Sequence, residues 1–147
     1  MPYEITIRRR VEFSETDMAG IVHYSNFFRY MEAAEHAFFR SLGFSIVTGN
    51  THPPVGWPRV HAHCDYHTPL RFEDEFEVHL LVLEKKSKAL SYQFRFRKVG
   101  GEAREVARGK LTVVCVTHNA DGSMSAVHIP QEIVDRIEEA PPEVLGS

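Results

Sequence analysis

Apolar and polar residues alternate at the start of the chain. Tyr3, Ile5, Ile7, Val11 and Phe13 face one way and Glu4, Thr6, Arg8, Arg10 and Glu12 the other, which predicts a half-buried strand. The polar stretch 14–24, with Gly20, predicts a loop. The period then changes. Phe27, Tyr30, Met31, Ala34, Phe38 and Leu42 recur at helical spacing, while Arg29, Glu32, His36 and Arg40 fill the remaining surface. Ser25 or Asn26 suits the N-cap and Gly43 the C-terminal cap. About 17 residues at ~1.5 Å each make a rod of roughly 26 Å, long enough to cross a sheet.

Residues 46–58, rich in Gly and Pro, predict a second loop, and four strand-like runs follow. The first puts Val60, Ala62, Cys64 and Tyr66 on one face, and the second covers about 75–84. In the third, Leu90, Tyr92, Phe94 and Phe96 alternate with Ser91, Gln93, Arg95 and Arg97, a stripe suited to the core under the helix. The fourth covers about 102–117, with Gly109 a candidate bulge. Gly100-Gly101 signals a hairpin and Asp121-Gly122 a turn. A short amphipathic helix is predicted at about 130–139, with Pro130 near its first position and Ile133, Val134 and Ile137 apolar; residues 140–147 are expected to fray. This order, one strand, one long helix and four strands in meander, describes an α+β fold. The expectation is a single domain over 1–147, its core about 3–118. A lone helix covers only one side of a five-stranded sheet, so the other side is solvated or paired with another subunit, and an oligomer is expected.

Composition narrows the class. The chain has 147 residues, 43% hydrophobic, with a net charge of −3, which excludes a disordered chain. The apolar run 78–83 is interrupted by His79 and is far short of the ~20 residues of a membrane span. Arg8, Arg9 and Arg10 have no apolar segment behind them, so no secretory signal is expected. Two cysteines cannot build a disulfide scaffold, and a cytoplasmic location is expected. An isoelectric point near 6.3 without a basic run argues against nucleic acid as the main partner.

The loop before the helix carries the candidate chemistry. Between Glu15 and Asn26 a carboxylate, Asp17, a flexible glycine, Gly20, and a helix N-terminus come together. Free N–H groups at a helix start suit a carbonyl oxygen that becomes negative, and a nearby carboxylate can attack an acyl carbon or deprotonate water. The same spacing also fits a solvated Asp capping a turn, and the residues alone leave both readings open.

The run Thr16-Asp17-Met18-Ala19-Gly20-Ile21-Val22-His23-Tyr24-Ser25-Asn26-Phe27, followed by Tyr30-Met31-Glu32, resembles the signature of hotdog-fold acyl-CoA thioesterases of the 4-hydroxybenzoyl-CoA thioesterase type. The stretch Tyr66-His67-Thr68-Pro69-Leu70-Arg71-Phe72-Glu73-Asp74 is similar to that family's strand–Pro–turn–Asp segment. The resemblance covers about 3–118 and implies a sheet wrapped around one central helix. It implies that Asp17 is the catalytic nucleophile or general base and that the amides of Tyr24 and Ser25 polarise the thioester carbonyl. Many members carry Tyr then His where this chain has His23 then Tyr24, so His23 either orients the acyl group or packs against the loop. Gly20, Phe27, Phe28, Met31 and, from the second loop, Trp57 are the candidate substrate-binding residues. The resemblance also implies two subunits joined sheet edge to sheet edge, as a homodimer or within a homotetramer, with acyl-CoA between them. No cofactor is expected, coenzyme A being part of the substrate.

Rival signals are weaker. Glu32 matches an acidic helix position of the family but also reads as a surface carboxylate pairing with Arg29 or His36. Arg59, His61, His63, Asp65 and His67 alternate on one strand, a metal-ligand geometry, yet they spread over ~20 Å and do not converge, so no metal is expected. Cys64 and Cys115 read as small core residues. The expected activity is hydrolysis of a small aromatic or short- to medium-chain acyl-CoA. A hotdog enoyl-CoA hydratase or dehydratase and a non-catalytic acyl-CoA binding module are the alternatives.

Overall fold

The computed structural model describes residues 2–46, 54–100 and 104–146. Among the described residues, seven strands and three α-helices run in the order β1 (Glu4–Arg10), α1 (Asn26–Ser41), β2 (Arg59–Tyr66), β3 (Glu75–Lys85), β4 (Ala89–Lys98), β5 (Glu105–Val114), β6 (Val116–His118), β7 (Met124–Ala126), α2 (Gln131–Val134) and α3 (Pro142–Leu145), with one 3-10 turn at Phe13–Glu15. Five of the strands form one antiparallel sheet in the order β1-β3-β4-β5-β2. The expected four-strand meander therefore holds only for β3–β5. The chain leaves α1 and lays β2 on the far edge, against β5, so β1 and β2 are the two sheet edges.

The helix lies on one face of this sheet. Tyr30, Met31, Ala34 and Phe38 from α1 are fully or almost fully buried, as are Phe76, Val78 and Leu80 of β3 and Leu90, Tyr92, Phe94 and Phe96 of β4. Period 3.6 meets period 2 here, which makes the α+β hotdog arrangement. The opposite face is polar except where the C-terminal segment crosses it. There Arg95, almost fully buried, donates to the carbonyls of Val144 and Leu145 at 2.8 and 2.9 Å.

Several local expectations change. Gly109 is no bulge: it pairs regularly with Cys64 and Phe94, and the register shifts lie at Arg59/His61, Val82/Glu84 and Phe96/Arg97. Its missing side chain is filled instead by the end of Met31, whose Sδ would lie 2.9 Å from a Cβ there. The fourth run breaks at Cys115 into β5 and β6, and β6 forms a hairpin with β7 across the Asp121-Gly122 turn. The expected helix at 130–139 is helical only over Gln131–Val134 and turns away before Ile137, which is buried. Residues 140–146 do not fray. Ala140 is buried and its N–H donates to Val82 at 2.8 Å, ahead of α3. Of the predicted Gly100-Gly101 turn, Gly100 has φ +88° and Gly101 lies outside the described residues, as do 47–53 of the second loop. No helix among the described residues is long and apolar enough to cross a membrane.

Candidate active site

The loop between β1 and α1 is tied down chiefly through Glu15. Its carbonyl accepts the His23 N–H at 2.9 Å and the Asn26 side-chain amide at 2.8 Å, and its carboxylate accepts the Tyr30 hydroxyl at 3.0 Å. Burial raises the Tyr30 phenol pKa, the Glu15 carboxylate adding to the effect, so Tyr30 stays a donor. Within the loop, the Gly20 N–H donates to Asp17 O and the Asp17 N–H to Ile21 O, both at 2.9 Å. This turn needs the left-handed backbone of Gly20, φ +79°, which costs a glycine little. The Val22 N–H then bonds Leu70 O at 2.8 Å, locking the loop onto the segment before β3.

Asp17 comes out of this turn with one oxygen fixed. Its Oδ1 accepts the Ala19 N–H at 2.9 Å, and Oδ2 accepts no hydrogen bond among the described residues. Asp17 lines an open cavity of about 350 Å³ together with Ile21, Val22, Tyr24, Phe27 and Tyr66 and the segment from His67 to Leu70. The walls are largely apolar, which suits an acyl group with one charged reactant beside it.

The helix start opens beside the same cavity. Ser25 is the N-cap residue but adopts helical φ/ψ, and its side chain caps nothing. Its hydroxyl bonds His23 Nδ1 at 2.7 Å instead, and its N–H reaches the same nitrogen at 3.3 Å. The Tyr24 N–H donates to no group among the described residues, while the His23 and Tyr24 carbonyls accept from the first turn of α1. An uncommitted N–H at the positive end of a 16-residue helix is the oxyanion-site chemistry that an acyl-transfer reaction uses.

The profile of the thioesterase-like superfamily matches residues 11–146 of this chain. The chain belongs to the thioesterase-like superfamily. A protein of Aquifex aeolicus that carries a provisional esterase name is 38% identical over 130 residues, 87% of this chain and 93% of that protein. The 4-hydroxybenzoyl-CoA thioesterase of Pseudomonas sp. strain CBS-3 is 22% identical over 92% of this chain and 98% of its own length. Among solved structures, a gentisyl-coenzyme A thioesterase superposes with a TM-score of 0.74 at 30% identity, covering 88% of this chain and 99% of that one. The protein is a thioester hydrolase with the hotdog fold.

Within this thioesterase, the residues singled out from sequence fall into two groups. Asp17, Tyr24 and Phe27 line the cavity, with Gly20 shaping the turn and Ser25 at the helix start. His23 stacks on the Tyr24 ring, centroids 4.6 Å apart, with Nδ1 turned to Ser25. Phe28, Met31 and Trp57 lie outside this cavity. Met31 is core against Gly109, Trp57 packs edge-on against Phe39, and Phe28 is half-buried beside the core. Glu32 is exposed and its pairing is with Arg59 at 3.4 Å, across to the edge strand. The strand histidines are exposed: His61 and His63 stack, His63 contacts Asp65 at 3.1 Å, and among the described residues no three His, Cys, Asp or Glu side chains converge as a metal site would need. Burial pushes both thiols up to about 11, which makes them poor nucleophiles.

Sequence reading did not single out Glu15, Glu35 or Tyr66. Glu15 looked like one more loop carboxylate, and its role is made by main-chain partners that no spacing reveals. Glu35 lies on the buried side of α1, a polar residue in an otherwise apolar stripe, and that interruption was its available signal.

Proposed function

We propose that this thioesterase hydrolyses the thioester of small aromatic or short- to medium-chain acyl-CoA. One observation carries the reading: Asp17 shares a largely apolar cavity with Tyr24, whose N–H is uncommitted at the start of α1. In this reading the acyl group enters the cavity and its carbonyl oxygen accepts from the amides of Tyr24 and Ser25. Asp17 attacks the carbonyl carbon itself or takes a proton from the water that does. By either route a C–O bond forms, the C–S bond breaks, and coenzyme A leaves as a thiolate that is then protonated; where Asp17 is the nucleophile, water then cleaves the acyl–Asp17 anhydride, releasing the acid and restoring the carboxylate. A thioester lacks strong amide-like resonance, so one carboxylate and an oxyanion site suffice. The chemistry asks for no resident metal or cofactor.

The working unit in this proposal is a homodimer, alone or within a homotetramer. β2 is a sheet edge with most of its residues exposed, and it ends in Tyr66 at the cavity wall, so a second copy docked there would complete the groove. A monomeric mass with activity retained at micromolar concentration contradicts this.

The experiment that tests the function is a panel of aromatic, short-chain and long-chain acyl-CoAs, followed by thiol release. Turnover is expected on aromatic and short- to medium-chain members. Tight binding across the panel without thiol release would favour a binding module, and hydration of an enoyl-CoA would favour the hydratase. No specific contact favours the latter: His23 is held by Ser25 and does not line the cavity with Asp17.

A further inference from the structure

Tyr66, the last residue of the edge strand β2, reaches across to the start of α1. Its hydroxyl donates to the carbonyl of Tyr24 at 3.1 Å. The ring sits edge-on to Phe27 at 5.1 Å, and Phe27 is itself wedged between Tyr30 and Phe96 at 5.8 and 5.2 Å. The ring, 44% exposed, is therefore braced on one side by the packed Phe27. Burial, with Cys64 beside it, pushes its pKa up to about 12, so it keeps its proton and remains a donor.

The bond matters because of what lies on the other side of the peptide. In a trans peptide the carbonyl and the N–H point in opposite directions within one plane. The Tyr24 carbonyl and the Ser25 N–H belong to the same plane. A hydrogen bond at Tyr24 O therefore fixes where the Ser25 N–H points and, by polarising the group, strengthens it as a donor. The only other group bonded to that carbonyl among the described residues is the Phe27 N–H, at a long 3.3 Å. The preceding peptide, which carries the Tyr24 N–H, is anchored by main chain alone, through Asn26 N–H to His23 O at 2.9 Å. Two consecutive amides are thus each held from behind, one of them by a side chain. In this structure the Ser25 N–H donates to His23 Nδ1 at a long 3.3 Å, so a role as thioester donor requires the incoming oxygen to displace that contact.

We propose that Tyr66 is a positioning residue of this site, orienting the Ser25 amide toward the thioester oxygen through its hydrogen bond to the Tyr24 carbonyl. The assignment rests on the acyl-CoA reading above. Losing an oxyanion donor outright costs about 10²–10³ in kcat, and loosening one costs less, so Tyr66→Phe is expected to lower kcat about fivefold to thirtyfold with KM within about twofold.

The second readout is the carbonyl stretch of benzoyl-CoA bound to Asp17→Asn, which shifts to lower frequency as the oxygen accepts stronger hydrogen bonds. Adding Tyr66→Phe to Asp17→Asn is expected to reduce that shift. An unchanged kcat and an unchanged band would overturn the proposal, as would a raised KM with kcat intact, which marks a mere wall contact. If Tyr66→Phe impairs folding, 3-fluorotyrosine at position 66 keeps the shape and donates more strongly. It should deepen the shift, and an unmoved band overturns the proposal. The two readings fail separately: full turnover by Asp17→Asn defeats the acyl-CoA mechanism, whereas an inactive Asp17→Asn beside a fully active Tyr66→Phe defeats only the role of Tyr66.

Discussion

Arg59, the first residue of β2, forms an ion pair at 2.5 Å with Glu35, a carboxylate with no exposed surface in the middle of α1. The same guanidinium donates to Trp57 O at 2.9 Å and reaches Glu32 at 3.4 Å, so one side chain fastens the edge strand to the central helix. The pair is not fully satisfied. Glu35 Oε2 and the Tyr92 hydroxyl are buried without a hydrogen-bond partner among the described residues, each within the other's field. Burial holds the Glu35 carboxyl above its ordinary pKa even though Arg59 opposes it.

That direction fixes a pH dependence. A carboxyl with a higher pKa in the folded protein than in the unfolded chain holds its proton more tightly when folded. Its contribution to stability is thus fully present below the unfolded pKa and is lost as pH rises through the folded one. Thermal midpoints measured between about pH 4 and pH 8 should show this decline for the parent and a flatter profile for Glu35→Gln. Arg59→Met leaves the buried carboxylate uncompensated and is expected to cost about 3 kcal/mol at neutral pH. The cost should shrink in acid, where Glu35 is protonated. A loss independent of pH would mean that packing, not charge, is what Arg59 supplies.

Gly109 gives a packing prediction. A Cβ at this position would overlap Met31 Cε and would lie 3.3 Å from the His63 carbonyl, with Met31 fully buried. Gly109→Ala should therefore destabilise the fold by about 1–3 kcal/mol, and Met31→Leu, which shortens the colliding side chain, should recover part of it. Denaturant unfolding of the parent and the three variants of the cycle measures the coupling. Strict additivity would show that the methionine end simply moves aside.

Much of the architecture was legible in the residues because two periodicities dominate it. The stripe from Leu90 to Phe96 and the helical set from Phe27 to Phe38 each state which face is buried, and both are core. What periodicity cannot state is which strands become neighbours: β2 reads like the first strand of a meander, yet it pairs with β5 at the sheet edge. The C-terminal segment shows a second limit. Its short amphipathic pattern reads as one helix over 130–139, yet the helix holds only over Gln131–Val134, and the tail expected to fray is anchored at Val82 and Arg95 and carries α3. At the site, the loop motif led to Asp17 and the helix start, because a carboxylate and a glycine turn leave marks in sequence. Phe28, Met31 and Trp57 are candidates only by proximity in sequence or loop position, and the helical phase sends Met31 into the core. Tyr66 lies 42 residues from the carbonyl it serves, a distance that no local pattern bridges.

Metal removal bears on the chemistry. If one carboxylate and main-chain donors are the machinery, as proposed, thiol release should survive exhaustive treatment with a chelator. Loss of turnover with recovery on adding a divalent ion would transfer attention to the exposed face of His61, His63 and Asp65.

The most direct measurement is steady-state hydrolysis by Asp17→Asn beside Glu32→Gln. Both changes remove one negative charge and conserve size, so a general effect of net charge would appear in both. Asp17 lines the cavity, whereas Glu32 is exposed and pairs with Arg59. Loss of a nucleophile or base is expected to lower kcat by roughly 10²-fold or more with little change in KM. Glu32→Gln should cost less than about tenfold, as an exposed pair contributes little. Near-parental thioester hydrolysis by a folded Asp17→Asn protein would contradict the account.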